Sequence, residues 1–195
     1  MLKAKNIHKK YLVYARADFI SQNEEIIAEW AELGLSAVFI GLEATTDDEL
    51  NSMDKECEAW HNRAAIDMLR KYNVDTYGSL IPGADFEQKD WDRLWKFIEE
   101  SGLYYVNISP HTPLPGANIW SIYKDQLTVP EDAHGLFDLS HMVLPTKMPL
   151  KDYYRQLLRL YTRTILNLNR AKVHTNRTLP SLWSMKYLRI LIGSL

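Results

Sequence analysis

Six side chains have the types needed to hold a small polar molecule: Arg16, Asp18, Glu43, Ser79, Asn107 and Ser109. Each ends, follows or sits within a short apolar run. These runs are Tyr11 to Ala15, Ala37 to Leu42, Val74 to Ile81 and Leu103 to Ser109. Runs of this length bounded by turn chemistry suit buried strands. Side chains alternate along a strand. Tyr14, Arg16 and Asp18 therefore share one side of the first strand if the chain stays extended. Phe39, Gly41 and Glu43 share one side of the second. Tyr77, Ser79 and Ile81 do so on the third, and Tyr105, Asn107 and Ser109 on the fourth. If all four sides face one cavity, a polar ring stands above an apolar floor. Such a site suits a molecule with amine, carboxylate and ribose groups. A charge at a strand end is costly unless solvated or paired. An Arg16–Asp18 or Arg16–Glu43 ion pair that closes the sheet uses the same residues, and the pattern leaves both readings open.

Other reactive residues carry weaker signals. Gly78 to Gly83 spaces two glycines across a strand end. Gly78 would let a flat ring approach the backbone, but the segment lacks the Lys-Ser/Thr of a phosphate loop. His134 and His141 flank Asp138, a conceivable metal set, with solvated histidines as the default. His111 lies in a proline-rich loop at a strand's C-terminal end and could pair with Glu43 as acid and base. Cys57 has no second cysteine, so a catalytic thiol is not expected.

The elements that must position these residues alternate between strand and helix. Ser21 with Glu24 reads as a capping box opening a helix through Ile26, Ile27, Trp30 and Leu33. Thr46 caps a short helix from Asp47 to Met53. A longer helix runs from about Ala59 to Tyr72, with Ala64, Ala65, Met68 and Leu69 on one face. Another covers Asp90 to Ser101, with Trp91, Leu94, Trp95 and Ile98 at helical spacing. Trp30, Trp91 and Trp95 are expected in the core. Strand starts recur at roughly thirty to forty residues, the spacing of strand–helix units in a parallel sheet. Four strands do not close a barrel. After Ser109 the texture changes to prolines and irregular segments. A helix follows from Asp152 to Asn169, with Tyr153, Leu157, Leu160, Tyr161 and Ile165 on one stripe, and a last helix after Pro180.

The 195 residues are 46% hydrophobic and 25% charged, with a net charge of −2. That allows one sizeable core and offers no general surface for nucleic acid. One cysteine excludes an internal disulfide and fits a reducing compartment. No signal peptide and no apolar run of spanning length is found, so the expected location is cytoplasmic. Leu182 to Leu195 mixes apolar and basic residues with Trp183 and Tyr187. A docked terminal helix is the first reading, and peripheral membrane association the second.

Three motifs resemble the radical S-adenosylmethionine barrel. They are Val38-Phe-Ile-Gly-Leu-Glu43 with Thr46 to Leu50 and Met53-Asp-Lys55; Tyr77-Gly-Ser-Leu-Ile-Pro-Gly83; and Thr112-Pro-Leu-Pro-Gly116. Their order and spacing resemble the subgroup with an N-terminal cobalamin-binding domain. Tyr14 to Asp18, and Asp138 to His141 with Pro145-Thr146, look most like the hopanoid C-3 methylases. The resemblance spans about residues 8–165. It implies an α/β fold: an incomplete (βα) barrel holding about strands three to six over residues 8–120, then a mostly helical extension over 121–195. It implies S-adenosylmethionine as cofactor, contacted by Arg16, Glu43, Gly78, Ser79, Ile81, Asn107 and Ser109, with Gly78 to Ile81 near the adenine. The family also uses a [4Fe–4S] cluster and cobalamin. The Cys-x3-Cys-x2-Cys motif that holds the cluster is missing from this sequence. The implied function is the C-terminal part of a cobalamin-dependent radical methyltransferase acting on a lipid such as a hopanoid, inactive alone. The missing N-terminal half is its expected partner. A non-catalytic subunit keeping part of the cofactor pocket is the alternative.

Overall fold

The computed structural model describes residues 9–53 and 57–171. Its centre is a four-stranded, wholly parallel sheet in chain order: β1 (Tyr11–Arg16), β2 (Leu35–Glu43), β3 (Asp75–Leu80) and β4 (Tyr105–Ile108). Helices α1 (Ala17–Gln22) and α2 (Glu24–Glu32) link β1 to β2. Helices α3 (Asp47–Ser52) and α4 (Ala59–Lys71) link β2 to β3, and α5 (Gln88–Ser101) links β3 to β4. The sheet is open, as four strands require.

Each boundary has a local cause. Thr46 caps α3, its hydroxyl accepting from the Glu49 N–H at 3.3 Å. The Glu49 carboxylate turns back to accept from the Thr45 N–H at 3.1 Å, one residue before the cap. Helix α5 ends at Gly102, left-handed at φ 63, the conformation glycine adopts without steric cost. The expected capping box at Ser21 does not form. Ser21 lies inside α1 and donates to the Asp18 carbonyl. The break falls at Asn23, whose amide donates to the Phe19 carbonyl at 2.7 Å.

One face of the sheet is packed. Val38, Ile40, Leu42, Leu80 and Ile108 join Ile27, Ala65, Leu69, Leu94 and Ile98 from the helices in one apolar cluster. Burying a side chain of this size contributes about 1.5–3 kcal/mol. The buried stripe of α4 is His61, Asn62, Ala65, Ile66 and Leu69. It is rotated from the expected face, because Ala64 and Met68 are only half-buried. Trp91 is enclosed, edge-on to Phe86 and to Tyr153. Trp95 is partly buried and stacks under the Arg163 guanidinium, whereas Trp30 is exposed, against the core expectation.

Beyond β4 the chain is mostly irregular, with α6 (Trp120–Tyr123) and two short 3-10 turns, and then α7 (Leu150–Ala171). Tyr153, Leu157 and Leu160 of α7 enter the main apolar cluster. The Tyr161 hydroxyl takes the N–H of Ile108 and donates to its carbonyl. It thereby satisfies the outer edge of β4 at that residue. The expected helix after Pro180 lies outside the described residues. No described helix is long and apolar enough to cross a membrane.

Candidate functional site

The ladder pairing brings four residues into one row: Arg16 beside Gly41, Gly41 beside Ser79, and Ser79 beside Asn107. One step toward the N-terminal ends lies a second row, Tyr14, Phe39, Tyr77 and Tyr105. Its rings pair up. Tyr14 and Phe39 have centroids 4.9 Å apart, and Tyr77 and Tyr105 stack at 4.7 Å and 12°. Both rows lie on the face opposite the packed helices, and Tyr14 is 77% exposed. Part of the expected polar ring, Arg16, Ser79 and Asn107, thus lies in one row at the C-terminal end of the sheet, where parallel α/β folds build sites. Burial, the neighbouring Tyr105 and Asp75 push the Tyr77 phenol up to about 12. Burial raises Tyr105 as well.

The ion pair left open by the sequence forms between Arg16 and Asp18. The guanidinium donates from Nε to Oδ1 at 3.0 Å and from Nη2 to Oδ2 at 2.9 Å. Asp18 is not on the strand row, because β1 ends at Arg16 and Asp18 lies in the first turn of α1. The hydrogen bond from Arg16 holds the Asp18 carboxyl below its ordinary value. Glu43 also raises Arg16 by charge, so the two are within electrostatic reach.

Glu43 ends β2 in a left-handed conformation, φ 63. The register slips there: Gly41 pairs with Ser79, and Glu43 with Leu80. Two residues of β2 thus oppose one of β3, a bulge of the kind enriched beside functional sites. The Glu43 carbonyl accepts from the Ile81 N–H at 2.7 Å. The fully buried Asn62 amide donates to both flanking carbonyls, Leu42 at 3.1 Å and Ala44 at 2.8 Å.

The remaining expected residues divide. Asn107 donates to the Ser109 hydroxyl at 3.0 Å. Ile81 lies just beyond β3. Gly78 is on the packed face, where a side chain would strike Leu42 at 2.7 Å. The space its missing Cβ leaves is filled by core atoms. Gly41, expected on the same side of its strand as Glu43, completes the row. The sequence reading passed over Asn62, which was visible as a polar residue on the apolar stripe of α4.

His111 sits elsewhere. It lines a cleft of about 770 Å³ beyond the strand ends, with Gly83, Asp85, Arg93, Tyr123 and Lys147. Glu43 does not line that cleft, so the two are not brought together as acid and base. Burial lowers His111 against the opposing pull of Asp85. Arg93 there pairs with Glu49 and with Asp90, the latter at 2.8 Å. His141 Nδ1 lies 3.0 Å from Asp138 Oδ1, but among the described residues no three ligating side chains gather around a possible metal.

No family profile matches the chain. Over 153 residues it is 31% identical to the hopanoid C-3 methylase of Methylococcus capsulatus, covering 78% of this chain and 29% of that protein. It is 25% identical over 121 residues to the anaerobic magnesium-protoporphyrin IX monomethyl ester cyclase of Cereibacter sphaeroides, covering 62% of this chain and 20% of the cyclase. The chain thus spans less than a third of the length of these relatives. Among solved structures it resembles the cobalamin-dependent S-adenosylmethionine radical enzyme OxsB. The form with aqua-cobalamin matches at TM-score 0.47 and 15% identity, over 64% of this chain and 18% of that one.

Proposed function

We propose, with the chain taken as a relative of the cobalamin-binding radical S-adenosylmethionine proteins, that it supplies the cofactor-contacting C-terminal part of such an enzyme. The observation that carries this reading is the uncovered row Arg16, Gly41, Ser79 and Asn107 above the paired aromatic rings, with Glu43 at its mouth. Strands β1 to β4 would then be strands three to six of the partial barrel. The parent reaction would be methyl transfer to a lipid such as a hopanoid, and a lipid substrate would place the complete enzyme at a membrane surface.

The chain's own part is binding and orientation. Arg16 offers charge-assisted donors to the methionine carboxylate. Glu43 accepts from the ribose hydroxyls or the methionine amine. Ser79, Asn107 and Ser109 hydrogen-bond the remaining polar edge, and Ile81 packs near the adenine. The residues present do not fit an iron–sulfur cluster. Such clusters are held by several cysteine thiolates, and this sequence contains one cysteine, Cys57, which is buried. No cluster-dependent step is assigned to these residues. A cluster-bearing N-terminal half, in the same polypeptide or in a partner chain, would join at the outer edge of β1, where an unpaired strand templates association. The second reading is a non-catalytic binding or partner subunit that keeps part of the cofactor pocket.

Calorimetric titration of S-adenosylmethionine into the full chain tests the proposal. Saturable one-to-one binding is expected. Glu43→Ala should weaken it about tenfold, the value of a lost hydrogen bond to a charged group. No saturable heat from the unaltered chain would contradict it.

A further inference from the structure

Glu43 occupies backbone space that residues with a Cβ rarely enter. At φ 63 a side chain crowds the following carbonyl, and glycine, or sometimes Asn or Asp, is the usual occupant. Residues held this way persist only where their surroundings over-determine them, and they cluster at functional sites. The surroundings here can be named. The Ala44 N–H donates to the Leu42 carbonyl at 2.8 Å, closing a tight turn around Glu43. The Ile81 N–H, just beyond β3, donates to the Glu43 carbonyl at 2.7 Å. One Asn62 amide nitrogen donates to the carbonyls on both sides, Leu42 and Ala44. Of these, only Asn62 comes from another element's side chain, and it is fully buried.

We infer that Asn62 is a positioning residue: its carboxamide clamps the two carbonyls flanking Glu43 and so fixes the left-handed kink that delivers the Glu43 carboxylate to the mouth of the sheet. Its importance for ligand binding rests on the proposed cofactor site; the conformational clamp itself does not. The Leu42 carbonyl keeps the Ala44 N–H, but a side chain with one donor, or none, at position 62 cannot tie both flanking carbonyls to one group. The strand is then free to relax toward regular extended backbone.

Two measurements on the full chain separate the claims. The first is the thermal midpoint of Glu43→Gly against Glu43→Ala, both of which lose the carboxylate. Glycine is favoured over alanine only where φ is positive. With Asn62 present, Glu43→Gly should melt several degrees above Glu43→Ala. With Asn62→Ser the order should reverse, and serine keeps one donor should alanine at 62 prevent folding. Alanine at least as stable as glycine beside an intact Asn62 overturns the clamp. So does an order unchanged by Asn62→Ser. The second measurement is S-adenosylmethionine affinity. Asn62→Ser should weaken binding about as much as Glu43→Ala, and the double variant no further. Additive losses, or unaltered affinity in Asn62→Ser, overturn the positioning role. If the unaltered chain binds no S-adenosylmethionine, the proposed function fails, and the melting order still decides the clamp.

Discussion

Arg16 shows how one residue serves two readings. Its bidentate pair with Asp18 is a structural contact, yet it sits in the row of Gly41, Ser79 and Asn107 at the mouth of the sheet. Its side chain is 56% exposed and Asp18's 24%, so solvent screens the pair. Asp18→Asn should cost only about 0.5 kcal/mol by urea unfolding. The sign follows from the depressed Asp18 value. The contribution is present above the unfolded carboxyl's pKa and is lost as pH falls through the folded one. Stability of the unaltered chain should therefore fall more steeply with acid than that of the variant. Tyr77 gives the opposite case. Its phenol is pushed up to about 12, so the folded state holds its proton where the unfolded chain has released it. Stability should decline between the ordinary tyrosine value, about 10, and the raised one, and ultraviolet titration should show a late-ionising phenol. Ionisation of every described tyrosine at the ordinary value would contradict the packed Tyr77–Tyr105 floor.

The elements were legible where pattern and local chemistry agreed. All four strands, the Thr46 cap and the Gly102 stop follow from alternation, hydroxyl capping and a glycine after an amphipathic run. The failures have physical causes. Ser21 and Glu24 have capping-box spacing, but Asn23 breaks the helix between them. The α4 stripe is rotated because buried His61 and Asn62 replace apolar residues on its inner face. Glu43 was legible as the end of a strand, but its left-handed backbone was not. That conformation is set by Asn62, from a separate helix, and no local signal marks it. The closure of the β4 edge by Tyr161 likewise joins distant parts of the chain. Tyr161→Phe removes both hydrogen bonds at Ile108 and should cost about 1–3 kcal/mol, read as a lowered urea midpoint. Thr46→Ala should cost about 1 kcal/mol by the same measurement.

For the molecule as a whole, the two edges of the sheet are unequal. Tyr161 occupies the β4 edge at Ile108, whereas among the described residues no strand pairs with the outer edge of β1. The helices cover one face, and the other carries the polar and aromatic rows. A further strand would therefore find a freer ladder at β1 than at β4. That asymmetry sets the polar row beside the open edge of β1. The cleft of about 770 Å³ at His111 competes for the role of binding site. The sheet face is favoured by its row of Arg16, Gly41, Ser79 and Asn107 at the C-terminal strand ends, although Arg16 is paired with Asp18 just as Arg93 in the cleft is paired with Glu49 and Asp90.

The most direct test of that choice is a nitrogen–proton NMR titration of the full chain with S-adenosylmethionine. Saturable shifts should concentrate at the amides of Gly41, Glu43, Ser79 and Asn107 and leave Ala84, Arg93 and Lys147 in place. Shifts confined to the cleft residues, or no saturable shifts at all, would contradict the assignment of the cofactor site to the open face of the sheet.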